Sequence, residues 1–200
     1  DAEFLEREQA VKGSDLATIV YTSGSTGTPK GVELTHANFV FITYSGVNSM
    51  PDIAMKLNRR LLLFLPLAHV FARYMQFFCF AGNVSLGLSS NLKTILADFK
   101  AFKPTFILAV PRIFEKIYNA ASQKAGAGFK GRVFADATQT ACDWSHAQQS
   151  GGSIPLALNA KHALYNKLVY SSIMEVFGGH VEYAVSGGAP LDSSIAHFFN

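Results

Sequence analysis

Residues 21–31 read Tyr-Thr-Ser-Gly-Ser-Thr-Gly-Thr-Pro-Lys-Gly and follow a short apolar run, residues 16–21, that predicts a buried strand. The stretch is dense in hydroxyl side chains and glycines and ends on Lys30 and Gly31. Glycines let backbone N–H groups approach an anion closely, hydroxyls donate to phosphate oxygens, and lysine supplies a compact positive charge. The stretch therefore predicts a phosphate-binding loop at the carboxyl end of a strand, where α/β proteins bind their ligands.

A solvated Ser/Gly turn without a ligand is the plain alternative to this interpretation. Two familiar phosphate motifs are excluded by their spacing. A Walker A loop requires GxxxxGK[ST], but here Lys30 precedes Gly31 and no Ser or Thr follows the lysine directly. The GxGxxG fingerprint of dinucleotide-binding proteins is absent from this strand exit as well.

Apolar runs that predict strands alternate with patterns of helical period along the rest of the chain. The further strand runs are residues 61–65, 84–88, 105–109 and 181–186. The helical patterns are residues 111–121, 132–148 and 155–177, and an apparent last helix covers residues 192–200. This alternation predicts an α/β fold in which a largely parallel sheet is flanked by helices.

Composition excludes several other classes of protein. The formal net charge of +3 comes from scattered residues, so no basic stripe predicts nucleic-acid binding. Cys79 and Cys142 lack a CxxC spacing and indicate neither a metal site nor a disulfide framework. The polar first residues do not read as a signal peptide. Pro66, His69 and Arg73 interrupt the most apolar stretch, so we do not expect it to span a membrane.

Two later segments place unusual residues where strands are predicted to end. Residues 65–73 read Leu-Pro-Leu-Ala-His-Val-Phe-Ala-Arg, and residues 185–192 read Val-Ser-Gly-Gly-Ala-Pro-Leu-Asp. Gly187 and Gly188 leave a strand end without Cβ atoms, which would admit a flat ligand, and Asp192 reads as a helix N-cap. Taken alone, His69 is more often a structural histidine, and the glycine pair is equally well a simple turn.

The twelve residues from Tyr21 to Val32, with Thr35-His36 behind them, resemble the signature loop of the adenylate-forming (AMP-binding) superfamily. The segments at 65–73 and 185–192 resemble that superfamily's later core motifs, and the whole chain looks most like a bacterial long-chain fatty acyl-CoA synthetase. The resemblance implies that residues 1–200 are a central fragment of the large N-terminal lobe. It places a helical insertion at about 111–178 and leaves the C-terminal lobe outside this sequence.

The resemblance implies an acid–thiol ligase that uses ATP and Mg²⁺ to convert a fatty acid to acyl-AMP and then transfers the acyl group to CoA. It implies a cytoplasmic enzyme that binds no nucleic acid and leaves open a homodimer of the intact protein. Peripheral membrane contact through helices that carry Phe129, Phe134, Trp144 and Tyr165 is also left open. Packing of these side chains against the rest of the lobe is the favoured alternative.

The resemblance also assigns site residues. Lys30 and His69 are the expected catalytic residues, Thr22 is the expected residue near Mg²⁺, and the acyl pocket is expected to include His69, Arg73 and Tyr74. The expected nucleotide-binding residues are Thr22, Ser23, Gly24, Ser25, Thr26, Gly27, Thr28, Lys30, Gly187, Gly188 and Ala189.

One departure from the family pattern bears on substrate choice. Some bacterial long-chain enzymes have a Trp gate four residues past the motif histidine, where this chain has Arg73 followed by Tyr74. Arg73 would close the acyl tunnel through an ion pair, or Tyr74 would take the role of the gate. The preferred chain length is therefore left open.

Two rival functions are retained. One is a fatty acyl-AMP ligase that loads an acyl carrier protein, and the other is a non-catalytic nucleotide-binding module on the same lobe. The family's Tyr-Gly-x-Thr-Glu block and its C-terminal catalytic lysine are not in this sequence. We therefore expect these 200 residues alone to be inactive.

Overall fold

A computed structural model describes residues 2–22 and 27–200. The predicted loop residues Ser23, Gly24, Ser25 and Thr26 lie outside these ranges. The chain divides into two compact units: residues 1–59 with 65–86, and residues 60–64 with 87–200.

The elements up to residue 102 alternate between strands and helices. They are α1 (Ala2–Ala10), β1 (Leu16–Thr22), β2 (Lys30–Thr35), α2 (His36–Ser49), α3 (Pro51–Ala54), β3 (Arg59–Leu63), α4 (Val70–Ala81), β4 (Val84–Leu88) and α5 (Ile95–Phe102). The remaining elements are mostly helical. They are β5 (Phe106–Ala109), α6 (Pro111–Ala125), α7 (Phe129–Gln149), α8 (Leu156–Tyr165), a π-helix (Asn166–Tyr170), α9 (Ser171–Met174), a 3₁₀ turn (Glu175–Phe177), β6 (Tyr183–Ser186) and α10 (Ser193–Phe198).

After α1, the first unit continues with an antiparallel hairpin, not with a strand of the parallel sheet. β1 pairs with β2 from Leu16 opposite Thr35 to Thr22 opposite Lys30. The prediction that residues 16–21 form a buried strand was therefore right in type and wrong in burial, because β1 alternates between exposed and half-buried side chains. Apolar content alone could not separate the two, since a short apolar run suits a buried strand and an exposed ribbon alike.

Behind the hairpin, α2 and α4 pack together around aromatic and small side chains. Phe39 of α2 lies with its ring centroid 4.7 Å from that of Phe77 on α4. Gly46 permits the closest approach of the two helices, because a Cβ built there would fall 1.9 Å from the Tyr74 hydroxyl. The helix pair forms the buried core of this unit together with α3.

The second unit is built on a parallel sheet in which the end of β4, then β3, β5 and β6 lie side by side. Leu61 of β3 pairs with Phe106 of β5, and Phe106–Ala109 pair in register with Tyr183–Ser186 of β6, both in parallel. All four residues of β5 are buried, as expected of a central parallel strand covered on both faces. The α/β fold with a parallel sheet and flanking helices is thus confirmed.

The helices after β5 carry a second cluster of buried apolar residues. Phe134 and Ala141 of α7, Ile173 of α9 and Phe198 of α10 form this cluster, and Tyr118 of α6 packs its ring against Phe134 and Phe198. The helical pattern at 111–121 extends to Ala125, and the pattern at 132–148 is α7. Phe198 of α10 is buried among these helices.

The helix predicted over 155–177 is not uniform. It runs as α8 to Tyr165, continues as a π-helix to Tyr170 and closes through α9 and a 3₁₀ turn. The Tyr165 hydroxyl bonds Asp136, and the Tyr170 hydroxyl donates to the Ala137 carbonyl at 2.7 Å, so both tyrosines reach α7.

Most of the aromatic residues considered for membrane contact are engaged within the second unit. Phe134 is buried, Tyr165 bonds Asp136, and Trp144 stacks on His162 with the ring centroids 4.4 Å apart. Phe129 is 75% exposed. Among the helices of the described ranges, none has both the length and the hydropathy that crossing a bilayer requires.

Gly178 yields a test of this packing. Its φ is +91°, and a Cβ there would lie 2.5 Å from the backbone oxygen of Phe99 on α5. Gly151 has a φ of +69° and open space around it. We expect Gly178→Ala to lower the free energy of unfolding by about 3 kcal/mol or more, from strain and overpacking together, and Gly151→Ala by about 1 kcal/mol from strain alone. Urea unfolding of both variants measures the difference, and equal losses would contradict the close approach.

Candidate functional site

The predicted phosphate loop joins the two strands of the β1–β2 hairpin, and its base is the last pair of the hairpin ladder. Thr22, the last residue of β1, lies directly opposite Lys30, the first residue of β2, and the Thr22 hydroxyl is 3.4 Å from the Lys30 carbonyl oxygen. Directly opposed residues of an antiparallel pair project from the same face. The Thr22 side chain, expected near Mg²⁺, and the Lys30 side chain, expected at the phosphates, are therefore neighbours. Both residues are exposed.

The loop returns through Gly27, Thr28 and Pro29, all exposed. Gly27 has a φ of +80°, a conformation that side chains rarely adopt, and a Cβ there would meet nothing within 4 Å. Glycine is therefore favoured here by the positive φ of the backbone and not by close packing. Since Lys30 follows directly, the second arm of the loop delivers the lysine to the position opposite Thr22.

The exit of β2 into α2 is fixed by a capping box. The Thr35 hydroxyl accepts a hydrogen bond from the Asn38 backbone N–H at 3.3 Å, and the Asn38 side chain accepts one from the Thr35 N–H at 2.9 Å. This arrangement satisfies two donors at the start of the helix. The Thr35-His36 pair that trails the loop therefore anchors the hairpin to α2.

His69 is the N-cap residue of α4, with extended backbone dihedrals and an exposed side chain. Its ring makes no capping hydrogen bond to α4, so the backbone alone begins the helix. A histidine that does not serve as a structural cap remains accessible to a ligand. The geometry is thus compatible with the predicted contact between His69 and a substrate.

Arg73 lines a pocket of about 330 Å³ between the start of β1, α2 and α4. The remaining lining residues are mainly apolar and aromatic: Ala17, Thr18, His36, Phe39, Val40, Thr43, Tyr44, Phe77, Phe80 and Ala81. Arg73 Nε donates to the Leu67 carbonyl at 3.1 Å, a contact with the segment that leads to His69 and not with an acid. The volume lies at the lower end of the ~300–1,000 Å³ typical of small-molecule sites.

Tyr74 packs between α2 and its own helix instead of lining this pocket. Its hydroxyl lies over Gly46 of α2, its ring packs 6.2 Å from that of Phe78, and burial raises its pKa. It does not belong to the wall of the Arg73 pocket. Of the two side chains considered as a gate, Arg73 lines this pocket and Tyr74 does not.

The pocket also contains a group that sequence reasoning missed. Thr43 is 5% exposed, and its hydroxyl finds no hydrogen-bond partner among the described residues. A buried hydroxyl left unsatisfied costs roughly 1–3 kcal/mol. Thr43 lies within a helix of mixed polarity and belongs to no motif, so only the packing of α2 on α4 could reveal it.

In the second unit, the loop after β6 begins with a tie to β5. The Gly187 N–H donates to the Ala109 carbonyl at 3.3 Å, which extends the parallel pairing by one bond. Gly188 then turns with a φ of +84°, and a Cβ there would lie 3.9 Å from Val110. Gly188 and Ala189 are exposed, so the backbone at this strand end is accessible, and its contact with a flat ligand stays a prediction.

Asp192 is the N-cap of α10, which confirms its predicted role. Its carboxylate accepts hydrogen bonds from the backbone N–H groups of Ser194 at 2.9 Å and Ile195 at 3.3 Å. The bond from the Ser194 hydroxyl, with these two backbone bonds, holds the carboxyl pKa below its ordinary value. The loop 187–192 is thus fixed to β5 at one end and to the start of α10 at the other.

The two thiols do not resemble nucleophiles. Burial raises the pKa of Cys79 to about 12, and burial together with the nearby charge of Asp143 raises that of Cys142. A reactive cysteine requires the opposite shift. Within residues 2–22 and 27–200, no group of three or more His, Cys, Asp or Glu side chains is placed to hold a metal ion.

Comparisons with known proteins show the family to which the chain belongs. The profile of the AMP-binding enzyme family matches residues 2–200, and the chain therefore belongs to that family. It is 46% identical over 198 residues to the long-chain-fatty-acid–CoA ligase FadD15 of Mycobacterium tuberculosis, covering 99% of this chain and 33% of that protein. It is 34% identical to long chain acyl-CoA synthetase 3 of Arabidopsis thaliana, covering 92% and 28%. The chain thus spans about a third of the length of these curated relatives.

Solved structures give the same fold. The didomain of a carboxylic acid reductase from Segniliparus rugosus, in complex with AMP, matches with a TM-score of 0.57 and 25% identity over 95% of this chain and 23% of that one. The adenylation domain of a carboxylate reductase from Mycobacterium chelonae matches with a TM-score of 0.59 and 23% identity, over 99% and 28%. Both cover the helices between β5 and β6 as well as the sheet.

The cap at Asp192 predicts a defined acid sensitivity. Because its folded pKa is depressed, the charged carboxylate stabilises the fold above its ordinary value of 3.8, and this contribution is lost as the pH falls through the lower, folded value. Asp192→Asn keeps an acceptor oxygen but removes the charge. We expect the wild type to be more stable than the variant at pH 7 and the difference to shrink below about pH 4. Urea unfolding across this range measures it, and a constant difference would contradict the assignment.

Proposed function

We propose that the full-length protein is an ATP-dependent ligase that activates a long-chain fatty acid as acyl-AMP and transfers the acyl group to CoA. One observation carries the proposal. The signature loop leaves a hairpin whose register sets Thr22 opposite Lys30, within a chain 46% identical to a long-chain-fatty-acid–CoA ligase. The apolar pocket that Arg73 lines, near the start of β1, supports a fatty acid as the substrate to be activated.

The first half-reaction joins two anions. A fatty carboxylate oxygen attacks the α-phosphorus of ATP, and the bond to the pyrophosphate leaving group breaks. Catalysis therefore requires positive charge at the phosphates and an in-line geometry. We assign the charge to Lys30 and the phosphate contacts to the hydroxyl and backbone donors of residues 22–28, including Ser23, Gly24, Ser25 and Thr26.

Thr22 fits a place beside Mg²⁺. Its hydroxyl is exposed and, among the described residues, has a long contact to the Lys30 carbonyl, so its oxygen can turn toward a hard cation that prefers oxygen ligands. Mg²⁺ held beside Thr22 would neutralise charge on the phosphates.

The acyl end of the substrate is assigned to the Arg73 pocket and His69. The pocket wall is apolar apart from a few polar groups, as in other sites for greasy ligands. Arg73 binds the carbonyl of Leu67, two residues before His69, and thereby connects the pocket wall to the predicted carboxylate-bordering histidine. Gly187, Gly188 and Ala189 are assigned to the adenine and the acyl-adenylate. In the second half-reaction the CoA thiolate attacks the acyl carbon and AMP leaves.

A carrier protein is the second candidate acceptor. The Segniliparus rugosus structure is an adenylation domain joined to a carrier domain, and its fold extends over 95% of this chain. A cytoplasmic location, peripheral membrane contact and dimerisation of the intact enzyme remain predictions.

The test uses the full-length protein and measures exchange of pyrophosphate into ATP that depends on a fatty acid. We expect Lys30→Ala to lower kcat/KM for ATP by about a hundredfold, the usual cost of one transition-state donor. Lys12→Ala removes an exposed lysine before β1 and is the matched control, expected to change the value less than about twofold.

Thioester formation is then compared with CoA and with an acyl carrier protein as acceptor. Acylation of the carrier alone would support the second candidate. If Lys30→Ala retains full exchange and alters only oligomerisation, the loop is not catalytic, and a nucleotide-binding module becomes the better description.

Arg73 yields a prediction on chain length. Arg73→Ala removes the largest polar side chain of the pocket wall, and Gln76→Ala alters α4 outside that wall. Because one methylene in an apolar pocket is worth about 10–200-fold, we expect Arg73→Ala to raise kcat/KM of the longest fatty acids relative to the shortest by about tenfold. A series of saturated fatty acids with the full-length enzyme, ATP and CoA measures the preference. An unchanged order of preference, or the same shift in Gln76→Ala, would place the acyl chain elsewhere.

A further inference from the structure

A polar joint connects α10 to α7 beneath the loop 187–192. We define it as Ser145 on α7 with His197 and Asn200. His197 Nδ1 lies 2.9 Å from the Ser145 hydroxyl, and the Asn200 side-chain amide donates to the same hydroxyl at 2.8 Å. Ser145 is fully buried, and the His146 ring lies against His197 with centroids 3.7 Å apart. The predicted function uses none of these residues.

The Ser145 hydroxyl is the centre of the joint because it bonds both other members. Its oxygen accepts from the Asn200 amide, and its second lone pair or its hydrogen serves His197 Nδ1, according to the tautomer of the ring. Ser145 is buried, His197 is half-buried and Asn200 is exposed, so loss of the Ser145 hydroxyl removes both bonds, whereas loss of His197 leaves Ser145 bonded to Asn200 alone.

The helix that the joint holds cannot stand alone. α10 has six residues, far fewer than the roughly 12–15 at which isolated helices become even marginal in water, so contacts to the rest of the unit set its position. Phe198 supplies apolar burial against Phe134 and Ile173. Apolar contacts are not directional, whereas the hydrogen bonds of Ser145 fix both the rotation and the height of α10 on α7.

The position of α10 also determines the position of the loop before it. Gly187 is tied to Ala109 of β5, and Asp192 caps the first turn of α10, so a shift of α10 along α7 must be taken up by the residues between them. We propose that Ser145 and His197 are positioning residues, which hold Gly188 and Ala189 at the height needed to contact the adenylate. This proposal rests on the proposed function, since it assigns the helices between β5 and β6 a role in nucleotide binding.

The chain offers matched variants. Ser145→Ala removes the central hydroxyl. His197→Gln moves the polar group to the position of Nε2, whereas His197→Asn keeps an amide, which can donate or accept, near the position of Nδ1. Thr140→Val is the control, because it deletes a buried hydroxyl of α7 that donates within its own helix, to the Asp136 carbonyl at 2.7 Å.

The experiment measures KM for ATP and kcat of fatty-acid-dependent pyrophosphate exchange, with Tm, for each full-length variant. We expect Ser145→Ala and His197→Gln to raise the ATP KM by about tenfold, because small misplacements of contact residues are expensive. We expect the ATP KM of His197→Asn to stay within about twofold of the wild type. We expect Thr140→Val to leave the ATP KM unchanged, and its Tm measures how much the loss of a buried α7 hydroxyl acts through stability alone.

Two results would overturn the proposal: an ATP KM in Ser145→Ala and His197→Gln that stays within twofold of the wild type, or an equal rise in Thr140→Val. If the wild type shows no exchange, the proposed function fails, and calorimetric titration with AMP then decides on the joint by itself. Weaker AMP binding in Ser145→Ala than in Thr140→Val supports the joint, and equal affinities refute it.

Discussion

The pairing of β5 with its neighbours is the constraint from which the second unit is built. Its four residues are buried on both faces, so every backbone N–H and C=O of the strand must find a partner in β3 or β6. The same ladder ends in the bond from Gly187 to Ala109, and Gly188 therefore leaves the sheet at a fixed height. The opening of the loop 187–192 is thus a consequence of how a buried parallel strand satisfies its hydrogen bonds.

Much of this could be predicted from the sequence, because period and apolar content report burial directly. The strand at 84–88 and the cap at Asp192 were predicted to the residue. The hairpin was not, since no rule of apolar periodicity states whether residues 16–21 pair with a neighbour in the sheet or with β2. β2 itself was missed, because Lys30–Thr35 mixes charged, small and polar residues and presents little apolar signal.

Some residues of the candidate site could be predicted from the sequence, and others could not. Thr22, Lys30 and the glycines belong to motifs that are local in sequence, and the hairpin register sets Thr22 opposite Lys30. Their roles at the phosphates stay predictions. Thr43 and the joint at Ser145 depend on which helix packs on which, and 52 positions separate Ser145 from His197. Such contacts leave no local pattern, so a single sequence could not show them. The separation of Arg73 from Tyr74 is of the same kind, since it follows from the close approach at Gly46.

The π-helix at Asn166–Tyr170 has a consequence for how length can vary among related chains. Tyr165 and Tyr170 both reach α7, yet residues five apart in an α-helix point about 140° away from one another. A turn that closes over five residues brings them to one side. A relative with one residue fewer between them would close this turn as an ordinary α-helix, in which the two tyrosines, then four positions apart, would point only about 40° away from one another. Single-residue deletions in this segment should therefore be compatible with both tyrosine contacts to α7.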